Sequence, residues 1–368
     1  MGGKGEDRGY WIALQQAPGL GPRRIWQLIE HFGSAEEVWR AGDKEILSLP
    51  WLGKAGEEFL VWRKKVAPAY LWERLCRQGV GVLTYSDAAY PLELKCIYSP
   101  PPVLYYRGNL TTLEHLKIAV VGTRRPTPYG LKVAQALTQG LAESGIAVVS
   151  GLARGIDAAA HRGALKGRGP TIAVLGCGVD VVYPRENAGL FQEIGREGLI
   201  LSELPPGTPP DKRHFPARNR IISGLARGTV VVEAGEESGA LITADFALEQ
   251  GRDVFAVPGP ITSAQSKGTN NLIKQGAKMV TELQDILEEY IPEKPESTFW
   301  RSEVEAAASA RLSPAEETVL AAVPAAPVAL DELVAATGLS AREINVALTY
   351  LELQGLVQRL PGGLYCRC

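Results

Sequence analysis

The sequence has few cysteines and no long apolar run. Its five cysteines are odd in number, and only Cys366 and Cys368 are close together, so neither a disulfide framework nor a four-ligand zinc site is supported. No apolar run reaches the roughly 18 residues needed to span a bilayer, and residues 1–9 lack the apolar core of a signal peptide. We therefore expect a cytoplasmic protein that has no membrane partner.

Two nucleotide-binding signatures are also missing. No Walker A sequence is present, which argues against an ATP-driven motor. The segment Gly176–Gly178 follows a predicted strand but lacks the third glycine of G-x-G-x-x-G, which argues against a dinucleotide-dependent oxidoreductase. We interpret these glycines as residues of a turn after the strand.

The net charge of −2 excludes little, but the charges are unevenly distributed. Residues 117–227 contain 15 basic and 8 acidic side chains, whereas residues 282–343 contain 4 basic and 13 acidic ones. This asymmetry predicts a local anion site within an otherwise acidic protein.

The chain of 368 residues is longer than one core usually holds, and its patterns predict several domains. Residues 1–85 show helical periodicity broken by hydrophobic-glycine turns at 17–24 and 49–56, which predicts a helix-hairpin-helix or SAM-like domain. Whether these turns meet nucleic-acid phosphates or only close a helical hairpin stays open. Residues 291–312 are rich in Pro, Glu, Ser and Ala and predict a linker.

Residues 86–290 alternate short β-branched runs with helical stretches, which predicts an α/β fold with a Rossmann-like, doubly wound parallel sheet. Six strands are predicted, at residues 118–121, 147–150, 171–175, 199–202, 229–232 and 254–257. Residues 313–368 predict three helices and a Gly-Gly hairpin, hence a C-terminal winged-helix domain. Its third helix places Arg342 beside Glu343, so we favour a protein-contact or structural role over reading of a DNA groove.

Basic and small residues follow the predicted strands, where the carboxyl ends of a parallel sheet form a ligand-binding crevice. Arginines near helix starts there predict a phosphate site, and Phe215 adds either a platform for stacked bases or a core side chain. The candidate nucleic-acid-binding residues are Gly122, Arg124, Arg125, Ser150, Gly151, Arg154, Arg213, Phe215, Arg218, Asn219, Arg220 and Lys267.

Other polar residues of these loops have simpler interpretations. Thr127 precedes Pro128 and is predicted to cap the next helix, and Asp157 is interpreted as a helix cap rather than as a catalytic acid. His161 lacks a second ligand or nucleophile nearby and is interpreted as structural. Glu233 and Glu237 would instead serve as the acid pair of a hydrolase if they faced each other.

Five motifs, in this order, resemble the DNA-processing protein DprA (Smf) family: Gly122–Arg124, Ser150–His161, Phe215–Arg220, Ser238–Ala244 and Val257–Gly259. The resemblance implies a bacterial protein that binds and protects incoming single-stranded DNA during natural transformation and loads the RecA recombinase onto it. It implies dimerisation through the Rossmann-like domain, no catalysis and no cofactor or metal.

The resemblance also implies where DNA binds, namely at Arg124 and at the segment Phe215–Arg220. Some members carry lysine where this chain has Ala217, and Lys212, Arg213 or Lys267 would then supply the phosphate contact. Loss of Arg124 or Arg220 is expected to weaken DNA binding without unfolding the protein. The alternative is a nucleotide-processing hydrolase of the lysine-decarboxylase-like Rossmann group, although the Pro-Gly-Gly-x-Gly-Thr loop of that group is missing.

Overall fold

The computed structural model describes residues 2–290, 313–324, 328–353, 356–360 and 364–367. The chain divides into two compact units, Met1–Tyr290 and Ile291–Cys368. The predicted linker at 291–312 lies outside the described residues.

Six helices precede the sheet: α1 (Gly2–Gln15), α2 (Pro22–Phe32), α3 (Ala35–Arg40), α4 (Asp43–Leu47), α5 (Lys54–Arg63) and α6 (Pro68–Arg77). Gly19 has a φ of +76°, and a Cβ there would lie 2.9 Å from that of Ala55, so the first hydrophobic-glycine turn packs against α5. Buried side chains of these helices share one cluster with sheet residues such as Val82 and Tyr105. The boundary predicted at residue 85 therefore lies within a single compact unit.

Nine strands form one sheet: β1 (Gly81–Thr84), β2 (Val103–Gly108), β3 (Lys117–Val121), β4 (Ala147–Ser150), β5 (Thr171–Val174), β6 (Leu199–Ser202), β7 (Gly228–Val231), β8 (Asp253–Ala256) and β9 (Lys278–Met279). Their order is β1-β2-β6-β5-β4-β3-β7-β8-β9. The strands from β6 to β9 are parallel, and β2 joins them antiparallel through β6. The predicted α/β, mostly parallel sheet is confirmed.

Helices connect and cover the strands: α7 (Leu92–Lys95), α8 (Pro128–Glu143), α9 (Ile156–Lys166), α10 (Ala188–Glu197), α11 (His214–Leu225), α12 (Gly239–Glu249), α13 (Lys267–Lys274) and α14 (Gln284–Tyr290). Short 3-10 turns occur at Leu110–Glu114, Arg185–Asn187 and Ala264–Ser266. Apolar residues of α8, α9 and α14 share one core cluster, and those of α11, α12 and α13 share another across the sheet. Both faces of the parallel strands are thus buried, as continuous β-branched runs require.

The chain changes direction across the sheet between β3 and β7. After β3 it continues through α8 to β4, whereas after β7 it continues through α12 to β8, on the opposite face. In such a sheet the two connections part at the carboxyl ends of the adjacent strands and leave a crevice there. The fold therefore places a ligand-sized opening beside the loops that follow β3 and β7.

The second unit contains α15 (Pro314–Ala322), α16 (Leu330–Thr337) and α17 (Ala341–Leu353), with the short strands β10 (Val328–Ala329), β11 (Val357–Leu360) and β12 (Leu364–Arg367). The strand order is β10-β12-β11, and the two longer strands form the predicted hairpin. Ser313 and Glu316 form a capping box at the start of α15. Three helices and a small antiparallel sheet confirm the winged-helix prediction.

Candidate nucleic-acid interface

A cleft of about 590 Å³ opens at the carboxyl ends of β3 and β7. The loop after β3 and the first turns of α11 and α12 line it. Its charged lining residues are Arg124, Arg125, Asp157, Lys212 and Arg218. Four cations against one carboxylate make the cleft a site for an anion.

A stack of two rings and a guanidinium forms one wall of the cleft. The rings of Tyr183 and Phe215 lie 5.5 Å apart at 25° to each other, and Arg124 places its guanidinium carbon 5.4 Å from the centroid of the Phe215 ring. Tyr183 is 41% exposed, so this wall is open to solvent rather than part of the core. Flat aromatic surfaces beside exposed cations suit the bases and phosphates of a single strand.

Gly176 makes room for this stack. A Cβ at Gly176 would lie 2.7 Å from Cδ1 of Phe215, closer than real Cβ atoms approach their neighbours. A smaller cavity of about 50 Å³ lies on this side and shares Arg124, Tyr183 and Phe215 with the cleft. The aromatic pair therefore separates two openings instead of capping one.

Arg218 forms the floor of the cleft. Its side chain is 5% exposed, and Nη1 donates to the carbonyl oxygen of Gly151 at 2.9 Å and to that of Val174. Burial lowers the pKa of Arg218 to about 10, so the guanidinium remains cationic at neutral pH. Arg218 thus joins α11 to the ends of β4 and β5 and leaves a buried positive charge beneath the cleft.

Asp157 has a different role from the predicted helix cap. Its carboxylate accepts hydrogen bonds from the amides of Gly151, at 3.2 Å, and Ala153, at 3.4 Å, and so closes the loop before α9. The residue at the cap position is Gly155, whose φ is +75° and where a Cβ would lie 2.4 Å from the carbonyl oxygen of Thr123. Burial raises the pKa of Asp157, and the nearby charge of Arg218 opposes that rise.

The start of α8 faces the crevice, but the chain itself supplies its anion. Thr127 caps the helix by accepting from the amide of Gly130 at 3.2 Å, which confirms the predicted cap. The carboxylate of Glu233 accepts from the amide and the hydroxyl of Thr127, at 2.9 and 2.5 Å. A buried Glu233 therefore occupies the position where sequence reasoning expects an external phosphate.

The acid pair considered for a hydrolase does not form. The Glu233 carboxylate is buried against Thr127, whereas Glu237 is exposed. Glu237 instead borders a separate surface opening with Glu236 and Asp245.

The candidate residues fall into three groups. Those that line the cleft are Gly122, Arg124, Arg125, Phe215, Arg218 and Asn219. Those that line the smaller cavity include Gly151 and Arg154. Those that line neither opening in the described part of the chain are Ser150, Arg213, Arg220 and Lys267.

The residues outside both openings have partners within the protein. The hydroxyl of Ser150 is buried and donates to the carbonyl oxygen of Val120 at 2.7 Å. Arg213 pairs with Asp211 at 3.0 Å, and Lys267 pairs with Glu236 at 3.6 Å.

Arg220 pairs with Glu203 at 2.5 Å, in a largely buried contact. Arg154 borders the smaller cavity but forms an exposed ion pair with Glu186 at 2.8 Å. An exposed ion pair contributes little stability, so Arg154 can exchange Glu186 for another anion. The Arg220 pair is held in place by burial.

Tyr183 is the cleft residue that sequence reasoning misses. It lies in the segment after β5, between the turn at Gly176–Gly178 and the following 3-10 turn, and it packs on Phe215 from more than 30 residues away. An aromatic residue just before Pro184, in a loop at the carboxyl edge of the sheet, is the available signal.

His161 is structural, as the sequence predicts. It is fully buried, and its Nδ1 lies 2.7 Å from Oγ1 of Thr171. Because the Thr171 hydroxyl donates to the carbonyl oxygen of Val148, Nδ1 is the donor in the contact with Thr171. Burial lowers the pKa of His161 to about 3.

None of the helices in the described part of the chain has both the length and the apolar character needed to cross a membrane. The described residues also contain no group of three or more His, Cys, Asp or Glu side chains placed to hold a metal ion.

The chain is similar to proteins of one family along most of its length. The family described as DNA recombination-mediator protein A matches residues 81–291, and the family described as DprA winged helix domain matches residues 303–363. Protein Smf of Synechocystis sp. is 38% identical, over 98% of this chain and 99% of its own.

Two solved structures are similar as well. The X-ray structure of DNA processing protein A from Streptococcus pneumoniae is 41% identical, with a TM-score of 0.66 over 76% of this chain and 97% of that one. DNA processing protein A from Helicobacter pylori, in a structure concerned with its single-stranded DNA binding mode, is 33% identical, with a TM-score of 0.53 over 57% of this chain and 94% of that one.

Proposed function

Because the chain belongs to the DNA recombination-mediator protein A (DprA) family, we propose that it binds single-stranded DNA in the cleft between β3 and β7. The proposal rests on the stack of Tyr183, Phe215 and Arg124. This stack lines a cleft that contains four cations. The Helicobacter pylori relative supports it, since that protein binds single-stranded DNA.

The geometry favours a single strand over a duplex for a physical reason. Stacking on Phe215 and Tyr183 requires the face of an unpaired base, whereas the bases of a duplex expose only their edges in the grooves. Arg124, Arg125 and Lys212 are exposed and meet the phosphates between those bases. Phosphate contacts add affinity without sequence preference, so the protein accepts strands of any sequence.

We further propose that the protein is a recombination mediator without catalytic activity. In this role it protects incoming single-stranded DNA during natural transformation, loads the RecA recombinase onto it, and acts in the cytoplasm as a homodimer formed through the Rossmann-like unit. The family description as a recombination mediator supports the role. A mediator has to release its strand, and contacts made by a few exposed cations and one stack are reversible.

The test is a salt titration of binding to a labelled single-stranded oligonucleotide and to its duplex. Tighter binding of the single strand, with a steep salt dependence, is expected. Arg124→Ala and Phe215→Ala should each weaken binding. Arg196→Ala is the matched control, because Arg196 is an exposed arginine at the end of α10, on the amino side of the sheet.

Two outcomes would overturn the proposal. Equal binding of single strand and duplex would show that bases do not stack on Phe215 and Tyr183. Binding of neither form would favour the alternative hydrolase, and nucleotides would then be screened as substrates.

A further inference from the structure

We propose that Tyr129 is a second stacking platform, over which a single strand leaves the cleft; this inference rests on the proposed function. Tyr129 lies in the first turn of α8 and is 47% exposed. Its hydroxyl donates to the carbonyl oxygen of Pro258 at 3.1 Å. A half-exposed ring that is held by its hydroxyl loses little rotational freedom when a base stacks on it.

The surroundings of Tyr129 suit a phosphate backbone. Arg125 lies in the loop that leads into α8 and lines the cleft, and Lys132 follows Tyr129 by three residues, which places it on the same side of the helix. Both are exposed, and neither forms an ion pair within the part of the chain that is described. The carboxylate whose charge acts on Tyr129, that of Glu233, is buried and accepts a hydrogen bond from the amide of Thr127.

A cation, an exposed ring and a second cation thus follow one another along the surface from Arg125 to Lys132. Alternating basic and aromatic side chains are the pattern by which proteins hold single strands. Arg124 and Phe215 form the same kind of pair within the cleft.

The strand order sets the scale of the separation between the two platforms. Phe215 packs over Gly176, just after β5, and Pro258 follows β8. Four strand spacings separate β5 from β8 in the order β5-β4-β3-β7-β8, which corresponds to roughly 19 Å at about 4.8 Å each. A stacked strand rises about 3.4 Å per nucleotide, so about six stacked nucleotides, or fewer extended ones, cover that distance.

The inference predicts a dependence on oligonucleotide length. We would measure the affinities of oligo-dT strands of increasing length for the full chain and for Tyr129→Ala. The two affinity curves should coincide for the shortest strands and separate by about 5- to 150-fold once a strand reaches Tyr129, the loss expected for one stacked base. Phe215→Ala should weaken binding at every length.

Two further variants separate stacking from a structural role. Tyr129→Phe keeps the ring but loses the contact with Pro258, so it should bind long strands nearly as tightly as the original protein. Lys132→Glu changes an exposed side chain without a packing cost, and it should weaken only the long strands. Loss of long-strand binding in Tyr129→Phe, or an equal loss at all lengths in Tyr129→Ala, would overturn the inference.

Two outcomes distinguish the loss of the Tyr129 platform from the absence of DNA binding. If the unaltered protein binds no strand of any length, the proposed function itself fails. If Phe215→Ala weakens binding while Tyr129→Ala and Lys132→Glu match the unaltered protein at every length, the cleft binds DNA and Tyr129 does not.

Discussion

Arg220 donates to Glu203 at 2.5 Å, and the two side chains are only 12% and 14% exposed. The contact joins α11 to the segment that follows β6, and the carbonyl oxygen of Glu203 in turn accepts from the side chain of Gln15 in α1. The N-terminal helices are thereby connected to the helix that carries Phe215 and Arg218.

Arg220→Ala should lower the free energy of unfolding by about 3–5 kcal/mol, because it leaves the Glu203 carboxylate largely buried without its partner. Arg124→Ala, whose side chain is exposed, should leave that free energy nearly unchanged. Urea denaturation of both variants measures the difference. Equal stability of the two would show that the buried ion pair is not needed to hold α11.

Arg124→Ala and Phe215→Ala should each weaken single-strand binding by about 1–3 kcal/mol. Because the guanidinium lies over the ring, the double variant should lose less than the sum of the two, by about 0.5–1 kcal/mol. Oligonucleotide affinities of the four proteins complete this double-mutant cycle. Strict additivity would mean that the two side chains act independently in the complex.

Gly176→Ala should weaken single-strand binding without removing any charge. The new Cβ would lie 2.7 Å from the Phe215 ring and displace the ring from Tyr183. The salt dependence of binding should keep its slope, since the number of phosphate contacts is unchanged. A flatter slope in the variant would indicate that the substitution also moves Arg124 or Lys212.

His161→Gln should reduce the loss of stability that acid causes. Burial lowers the pKa of His161 to about 3 in the folded protein, against about 6.5 when unfolded, so its contribution is complete above pH 6.5 and is lost as the pH falls towards 3. Between pH 7 and pH 5 this loss amounts to about 2 kcal/mol. Urea denaturation at both pH values should show a smaller difference for the variant, and an unchanged difference would assign the acid sensitivity to other groups.

The sequence predicts the strands well where burial on both faces selects a continuous β-branched run. The strands predicted at 147–150 and 199–202 coincide with β4 and β6, and the other four predicted strands agree within one residue at each end. It does not predict β1, β2 or β9. Of these, β1 and β2 are antiparallel and lie at the edge of the sheet, and β9 is only two residues long.

The site is predicted only in part, because the residues that complete or neutralise it are distant in sequence. Arg124 and Phe215 are identified from their loops, and the structure brings them into contact. Arg220 is identified from the same kind of loop motif. Its ion pair with Glu203 is not predicted, because Glu203 lies on a different segment. Likewise, the carboxylate of Glu233 reaches the start of α8 from 106 residues away, a contact that no local pattern indicates.

The long-range contacts of Arg218 determine when the cleft forms during synthesis of the chain. The carbonyl groups that hold Arg218 belong to residues 67 and 44 positions earlier in the chain. During synthesis β4 and β5 leave the ribosome well before α11, and closing such long loops costs chain entropy before any contact compensates for it. We therefore expect the cleft to form only after α11 has folded onto the sheet, because Arg218 supplies contacts that β4 and β5 lack until then.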